Sequence, residues 1–295
     1  MRGSLSFSSR QNFAATLLLL PALAMLVGLL LYPLTLGIRS AFETTGADGA
    51  TRFVGGKLFN VLAREPRFLA DIWRSVVYVV GNVGISFVLG YGAALVITRP
   101  VRAAGVVRAT IIIPWITPPV VSAVLFRSLV DPSKGPASYV AQHFFGNDFM
   151  ILGNARSAMA AVIVHSVWRS FPFIMLIIAA GIAAIPRELY ESAAVEGCGA
   201  FRRFRYITLP LTRLHCAIVL LIVTMWTIQD AEGVYALTYG GPANATEVLA
   251  LRLFRESFLN FDLHMAAAVG LVLLVISGVF AALYLSLVGG KRIEL

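Results

Sequence analysis

Charge is what this sequence has least of. Only 13% of its 295 residues are charged, where a soluble domain carries about 25%. With 58% hydrophobic residues and a mean hydropathy of +0.82, a water-soluble fold of this size would leave too much apolar surface exposed. Cysteine is nearly absent too. Cys198 and Cys216 have neither metal-ligand spacing nor a disulfide framework, and both read as free thiols. A phosphate-cradling loop is missing. No Gly-x-x-x-x-Gly-Lys-Ser/Thr occurs, and Gly55-Gly56-Lys57 and Gly289-Gly290-Lys291 lack the loop length and the hydroxyl residue. The chain therefore cannot hydrolyse ATP unaided. His143, His165, His215 and His264 form no metal or nucleophile constellation, and no carboxylate pair reads as catalytic. A net charge of +9 would suit nucleic acid, but the basic residues are scattered beside apolar segments, a placement that membrane topology explains.

Long apolar runs are what the sequence has in abundance. Runs of about 20 such residues cross a bilayer core, and six are expected: Phe13–Ile38, Ser75–Thr98, Ala109–Val130, Ala158–Ile185, Leu214–Asp230 and Met265–Val288. The fold class is thus an all-α membrane protein. An even number of spans puts both termini on one side, and the denser basic residues of the shorter loops make that side cytoplasmic. Both cysteines then fall on the cytoplasmic side. The first run is longer than a signal-peptide core and lacks a small-residue cleavage site, so it reads as a retained anchor. The chain divides into an anchor and first outer segment (1–74), a transmembrane core (75–288) and a tail (289–295). Pro21, Pro33, Pro114, Pro118, Pro119 and Pro172 interrupt spans, which lipid tolerates only where neighbouring helices or a cavity satisfy the freed carbonyls. Gly81, Gly84, Gly90 and Gly92 of the second span suit close helix approach.

One stretch breaks the apolar pattern. "ELYESAAVEGCGAFRRFRYITLP", from Glu188 to Pro210, lies between the fourth and fifth spans. Pro186 fits a helix start, and Glu188 lies near the positive end of the dipole. Ser192, Ala193 and Ala194 form a small-residue patch that admits close approach. Gly197 can take the left-handed conformation that stops a helix. A second amphipathic stretch follows, with Phe201, Phe204 and Thr208 on one side. Two short helices hinged at glycine suit either a docking surface or a helix resting on anionic headgroups.

The segment resembles the cytoplasmic "EAA" loop of ABC importer permeases, whose pattern is Glu-Ala-Ala, three residues, Gly, nine residues, Ile, one residue, Leu-Pro. Here Glu191-Ser192-Ala193 precedes Gly197, Ile207 and Leu209-Pro210 at every one of those spacings. Ser192 replaces alanine, Glu196 stands where aspartate is usual and Cys198 where alanine is usual. "ATIIIPWITPPVVSAVLFRSLVDP", "VYALTYGGPANATEVLALRLFRESF" and the first-span "LLLLPALAMLVGLLLYPLTLGIRSAF" resemble the subfamily that handles maltose-like oligosaccharides, other sugars and glycerol-phosphate compounds. The resemblance implies a type I importer permease fold with cytoplasmic coupling helices, in a bacterial inner membrane. It implies a heterodimer with a second permease, two ATP-binding subunits that hold ATP and Mg, and an extracytoplasmic solute-binding protein. Glu188, Glu191, Ser192, Ala193, Glu196, Gly197, Leu209 and Pro210 would couple to the ATPase. Tyr239, Gly240, Gly241 and Pro242 would touch the binding protein, although a glycine-proline turn explains them as well.

Polar groups inside spans face a cavity or a partner helix rather than lipid. Asn82, Ser122, His165, Trp168, Arg169, Trp226, Gln229 and Asp230 are the candidates for a solute path. His165 and Arg169 share a helical face, as do Trp226, Gln229 and Asp230. An aromatic ring beside an amide and a carboxylate suits a sugar. Structural roles compete: Arg169 can pair with Asp230 or snorkel outward, and His165 can bridge helices. The rival function is an ion-gradient-driven secondary transporter, which calls for inverted repeats and a midplane carboxylate. Asp230 and Glu232 keep it open, but no repeat supports it.

Overall fold

The computed structural model describes residues 18–46, 48–98, 104–146 and 149–289. The start of the expected first span (13–17), the inner loop at 99–103 and the tail from 290 onward lie outside the described residues. Helix α1 covers Leu18–Ser40. A short antiparallel hairpin follows, β1 (Glu43–Thr45) with β2 (Thr51–Phe53), then helix α2 (Lys57–Arg64). The membrane core comprises α3 (Pro66–Ile97), α4 (Ala104–Ile116), α5 (Pro119–Leu129) and α7 (Ala155–Ala183), with α6 (Pro136–Phe145) between the last two. Next come α8 (Arg187–Val195), α9 (Ala200–Leu211) and α10 (Arg213–Ile228). The last three are α11 (Glu232–Thr238), α12 (Leu249–Phe258) and α13 (Leu263–Gly289).

Four helices, α1, α3, α7 and α13, are long and apolar enough to cross a membrane alone, and the number reaches six if each of two bent pairs, α4 with α5 and α9 with α10, counts as one span. The expected third span is one of those pairs. Instead of running straight over Ala109–Val130, it turns by 102° between α4 and α5. Thr117-Pro118-Pro119 is the cause: Pro118 sits at ψ 141 and neither proline offers an N–H to the preceding turn. The second span is longer than expected. Helix α3 starts at Pro66, where proline occupies a first-turn position, so its outer third projects beyond the apolar run.

Helices α3 and α7 form the spine. Two glycines let them meet: a Cβ on Gly81 would lie 2.9 Å from the Ile163 side chain, and one on Gly90 would lie 2.8 Å from the Phe171 carbonyl. Gly84 and Gly92 have nothing within 4 Å, so half of the glycine pattern serves packing. Buried Val79, Val83, Tyr91, Ile174, Ile178, Val219 and Val223 join α3, α7 and α10 in one dry core. The window of α1 that qualifies as a span is 0% buried, against 50% for α7.

Candidate functional site

The two-helix segment between the fourth and fifth spans is built by its caps. Helix α8 ends on Gly197 at φ 76. The Gly197 N–H donates to the Ala194 carbonyl at 3.1 Å, and the Cys198 N–H donates to Ala193 at 2.8 Å. This is the paired closure of a Schellman motif, which needs a left-handed residue at that position. Glu188, Glu191, Ser192, Glu196 and Gly197 are exposed and Ala193 is half-buried. Val195 is 90% exposed, an apolar side chain with nothing of this chain over it. The second helix departs from the expected single packed side. Phe204 meets Tyr91 edge-on at 5.6 Å and Thr208 is buried, whereas Phe201 is 77% exposed. A wider π turn at Phe204–Thr208 precedes Pro210, whose missing N–H breaks the helical ladder. Leu209 packs against the span core and Pro210 is exposed.

The second assembly is a cavity of about 360 Å³ midway along the spans. Asn82, Arg169, Trp226, Gln229 and Asp230, all expected from the sequence, line it together with Trp115, Pro119, Ser166, Ser170, Thr227, Ala231 and Glu232. Trp115 and Pro119 flank the break between α4 and α5, so the bend delivers both to the cavity. Their signal in the sequence was the proline cluster itself. Phe173 lies between the two indoles, 5.4 Å from Trp115 and 4.8 Å from Trp226. Asn82 donates to Thr227 at 2.7 Å and accepts from Ser86 at 2.9 Å.

Asp230 is held from two sides. Tyr78 Oη donates to it at 2.6 Å, while its other oxygen accepts from the Gly233 N–H at 2.9 Å and caps α11. No ion pair between Arg169 and Asp230 forms among the described residues. The Arg169 guanidinium stands midway along α7, and its buried Nε has no hydrogen-bond partner there. Ser122 and His165 are placed elsewhere. They bond to each other at 3.0 Å, tying α5 to α7, and neither lines the cavity. Trp168 also stands off the lining, its ring 6.5 Å from His165. Gln229, Ala231 and Glu232 are shared with a larger apolar groove of about 910 Å³ between α1 and α13.

The end of the spans opposite α8 carries a network that the sequence reading missed. Arg252 donates to Glu65 at 3.0 Å and Glu256 at 2.6 Å and approaches Asp71 at 3.5 Å. Burial works against the Arg252 charge, but the bonds to Glu65 and Glu256 outweigh it and raise the pKa above the usual arginine value. Arg74 joins Asp71 at 2.6 Å. Arg67 and Arg255 converge on fully buried Glu247 at 2.7 and 3.1 Å. The turn at Tyr239-Gly240-Gly241-Pro242 hangs from this frame. Arg255 donates to the Tyr239 carbonyl at 2.5 Å, and the Arg127 guanidinium lies 5.2 Å over the Tyr239 ring. Tyr239 itself is left-handed, at φ 53, and half exposed.

Residues 86–292 match a family described as the binding-protein-dependent transport system inner membrane component. Among curated relatives, the sulfoquinovosyl glycerol transport permease of Agrobacterium fabrum is 28% identical over 94% of this chain and 91% of its own. The trehalose/maltose transport permease of Thermococcus litoralis is 30% identical over 79% and 81%. The glycerol-3-phosphate transport permease of Agrobacterium fabrum is 29% identical over 88% and 89%. Among solved structures, a bacterial ABC transporter that imports the acidic polysaccharide alginate superposes with a TM-score of 0.82 at 20% identity, covering 97% of this chain and 98% of that one. At that identity the superposition speaks for the fold.

Proposed function

The chain belongs to the family of binding-protein-dependent transport system inner membrane components, and from that premise we propose that it supplies half of the path by which an ATP-driven importer moves a carbohydrate or related polar solute. A second permease completes the path. A solute-binding protein delivers cargo at the outer face, where the Tyr239–Pro242 turn is offered. Two ATP-binding subunits, which carry the ATP and Mg, grip α8 from the cytoplasm of a bacterial cell whose inner membrane holds both termini of this chain inside.

One observation carries this reading: an exposed, Schellman-capped helix at one end of the spans shares its bundle with a polar, aromatic cavity midway along them. Glu191 pairs with a basic residue of the ATPase, while Ser192, Ala193 and Gly197 let the surfaces close. The indoles of Trp115 and Trp226 offer faces to C–H groups, and Asn82, Gln229 and Arg169 offer hydrogen bonds to hydroxyls. Relatives named for sulfoquinovosyl glycerol, trehalose/maltose and glycerol-3-phosphate support a sugar or polyol cargo. An ion-coupled mechanism would want a carboxylate free to exchange its ion, and Asp230 already accepts from Tyr78 and Gly233. Reconstituted with its partners, the importer should lose uptake in Glu191→Lys and in Gly197→Arg while the binding protein still docks. Normal transport by both variants overturns the docking role. Uptake that survives ATP depletion, with the proton gradient held, overturns the importer reading itself.

A further inference from the structure

On the importer reading above, we propose that the hydroxyls of Tyr91 and Thr212 form a latch that makes the coupling lever and the solute cavity move as one body. Thr212 is the elbow residue between α9 and α10, which meet at 67°. It is fully buried, and so is the bond it makes. Its Oγ1 donates to the Thr208 carbonyl at 2.8 Å. That spends its proton, so Tyr91 is the donor in the 2.8 Å contact between Tyr91 Oη and Thr212 Oγ1. One turn back, Thr208 Oγ1 meets Tyr190 Oη of α8 at 3.0 Å. Through the hydroxyl and the carbonyl of Thr208, a run of hydrogen bonds therefore links Tyr190 of the coupling helix to Thr212 at the elbow and to Tyr91 of α3.

The same two spans are joined again at the cavity, by Asn82 with Thr227 and by Tyr78 with Asp230. From Tyr91 to Asn82 is about 14 Å of helix, and from Thr212 to Thr227 about 22 Å, at the 1.5 Å rise of an α-helix. Between the two polar joints the buried contact is mainly apolar, built on Val83, Val219 and Val223, and the hydroxyl of buried Ser86 is turned to Asn82 rather than across to α10. Apolar packing is non-directional and would let α10 slide or roll on α3. Two directional joints at opposite ends of a dry, incompressible interface fix the register. Displacement of α8 by the ATPase then reaches Thr227, Gln229 and Asp230 rather than being absorbed at the elbow. Tyr91 and Thr212 act here as positioning residues and touch no solute.

The test uses the whole importer with both ATPase subunits in nanodiscs, so no cargo need be known. Ala231→Cys on the cavity wall reports through its rate of reaction with a soluble maleimide, measured in excess of the parent's native thiols, without nucleotide and then with ATP and vanadate. Loss of one hydrogen bond in the latch should cut the nucleotide-dependent change in that rate by about tenfold in Tyr91→Phe and in Thr212→Val. ATP hydrolysis should persist in both. Thr212→Ser should restore the response, and the double variant should be no worse than either single, because the two residues share one bond. A full response in Tyr91→Phe, or additive losses in the double variant, overturns the latch. Tyr91→Phe keeps the ring and decides the matter even if Thr212→Val fails to assemble. A Glu191→Lys control that responds fully removes the docking role of α8 instead, since nucleotide would then reach the cavity without that helix being gripped.

Discussion

The two ends of this molecule are built on opposite principles. At the end that carries the Tyr239–Pro242 turn, charges that would be costly alone are gathered and paired within the chain: Arg252 takes Glu65, Asp71 and Glu256, and Glu247 takes Arg67 and Arg255. At the opposite end, α8 has no buried residue. Glu188 and Glu191 face outward there, beside the uncovered Val195. A rim that is closed on itself can receive a partner without rearranging, whereas a helix left open has its energetics finished by whatever grips it. On the proposed function, the contrast separates a rigid platform from a lever.

The lever should fail first and most completely. Glu191→Lys reverses the charge of the exposed face and should abolish uptake while leaving the melting temperature of the purified importer unchanged. If uptake survives, the open end is no docking surface and the contrast loses its meaning. The platform should respond the other way round, in stability. Arg252→Met leaves three carboxylates facing one another beside a side chain that cannot answer them, and removal of one partner of a buried ion pair costs about 3–5 kcal/mol. Thermal unfolding of the complex reads this directly. An unchanged transition would mean that the outer rim is held by packing instead of charge.

Smaller effects sharpen the region between the ends. Gly90→Ala pushes a methyl to within 2.8 Å of the Phe171 carbonyl and should cost about 1–3 kcal/mol by overpacking. Gly84→Ala, on the same helix but with open space around it, should be neutral or slightly stabilising, because alanine is the better helix former by about 1 kcal/mol. Melting of the two variants side by side tests whether the α3–α7 contact is the spine. The least drastic expectation concerns the cavity. Trp226→Ala with Gln229→Ala should weaken the apparent affinity for the cognate solute by about tenfold, the value of one or two lost contacts. Initial-rate uptake against solute concentration checks it, and an unchanged half-saturation point removes these two residues from the path.

Much of the lever was legible in the sequence because its rules are local. Gly197 closes a helix through its own φ and two backbone bonds to Ala193 and Ala194, and nothing distant is needed. The cavity was legible in part for a different reason. A polar residue in a span must face something other than lipid, and Asn82, Arg169, Trp226, Gln229 and Asp230 do share one lining. The same rule also selected Ser122 and His165, which satisfy each other instead. Choosing between cavity and cross-bridge requires knowing which helices are neighbours. The charge network was invisible for that reason too: Arg252 stands 187 residues from Glu65 in the chain, and each alone reads as a loop charge.

Apolar run lengths and the spaced Glu191–Pro210 pattern by themselves determined that the chain crosses a membrane and that two short helices hinged at Gly197 join the fourth and fifth spans. These follow from backbone sterics and from the cost of polar groups in hydrocarbon, which act over a few residues. Of the interrupting prolines, however, only Pro118 and Pro119 mark a break, whereas Pro21, Pro33, Pro114 and Pro172 lie within continuous helices. Only the tertiary structure decided that the third span folds to 102°, that Arg169 and Asp230 line one cavity without an ion pair among the described residues, and that Thr212 meets Tyr91. Pairing across helices depends on register and approach angle, and those are set by the packing of the whole bundle.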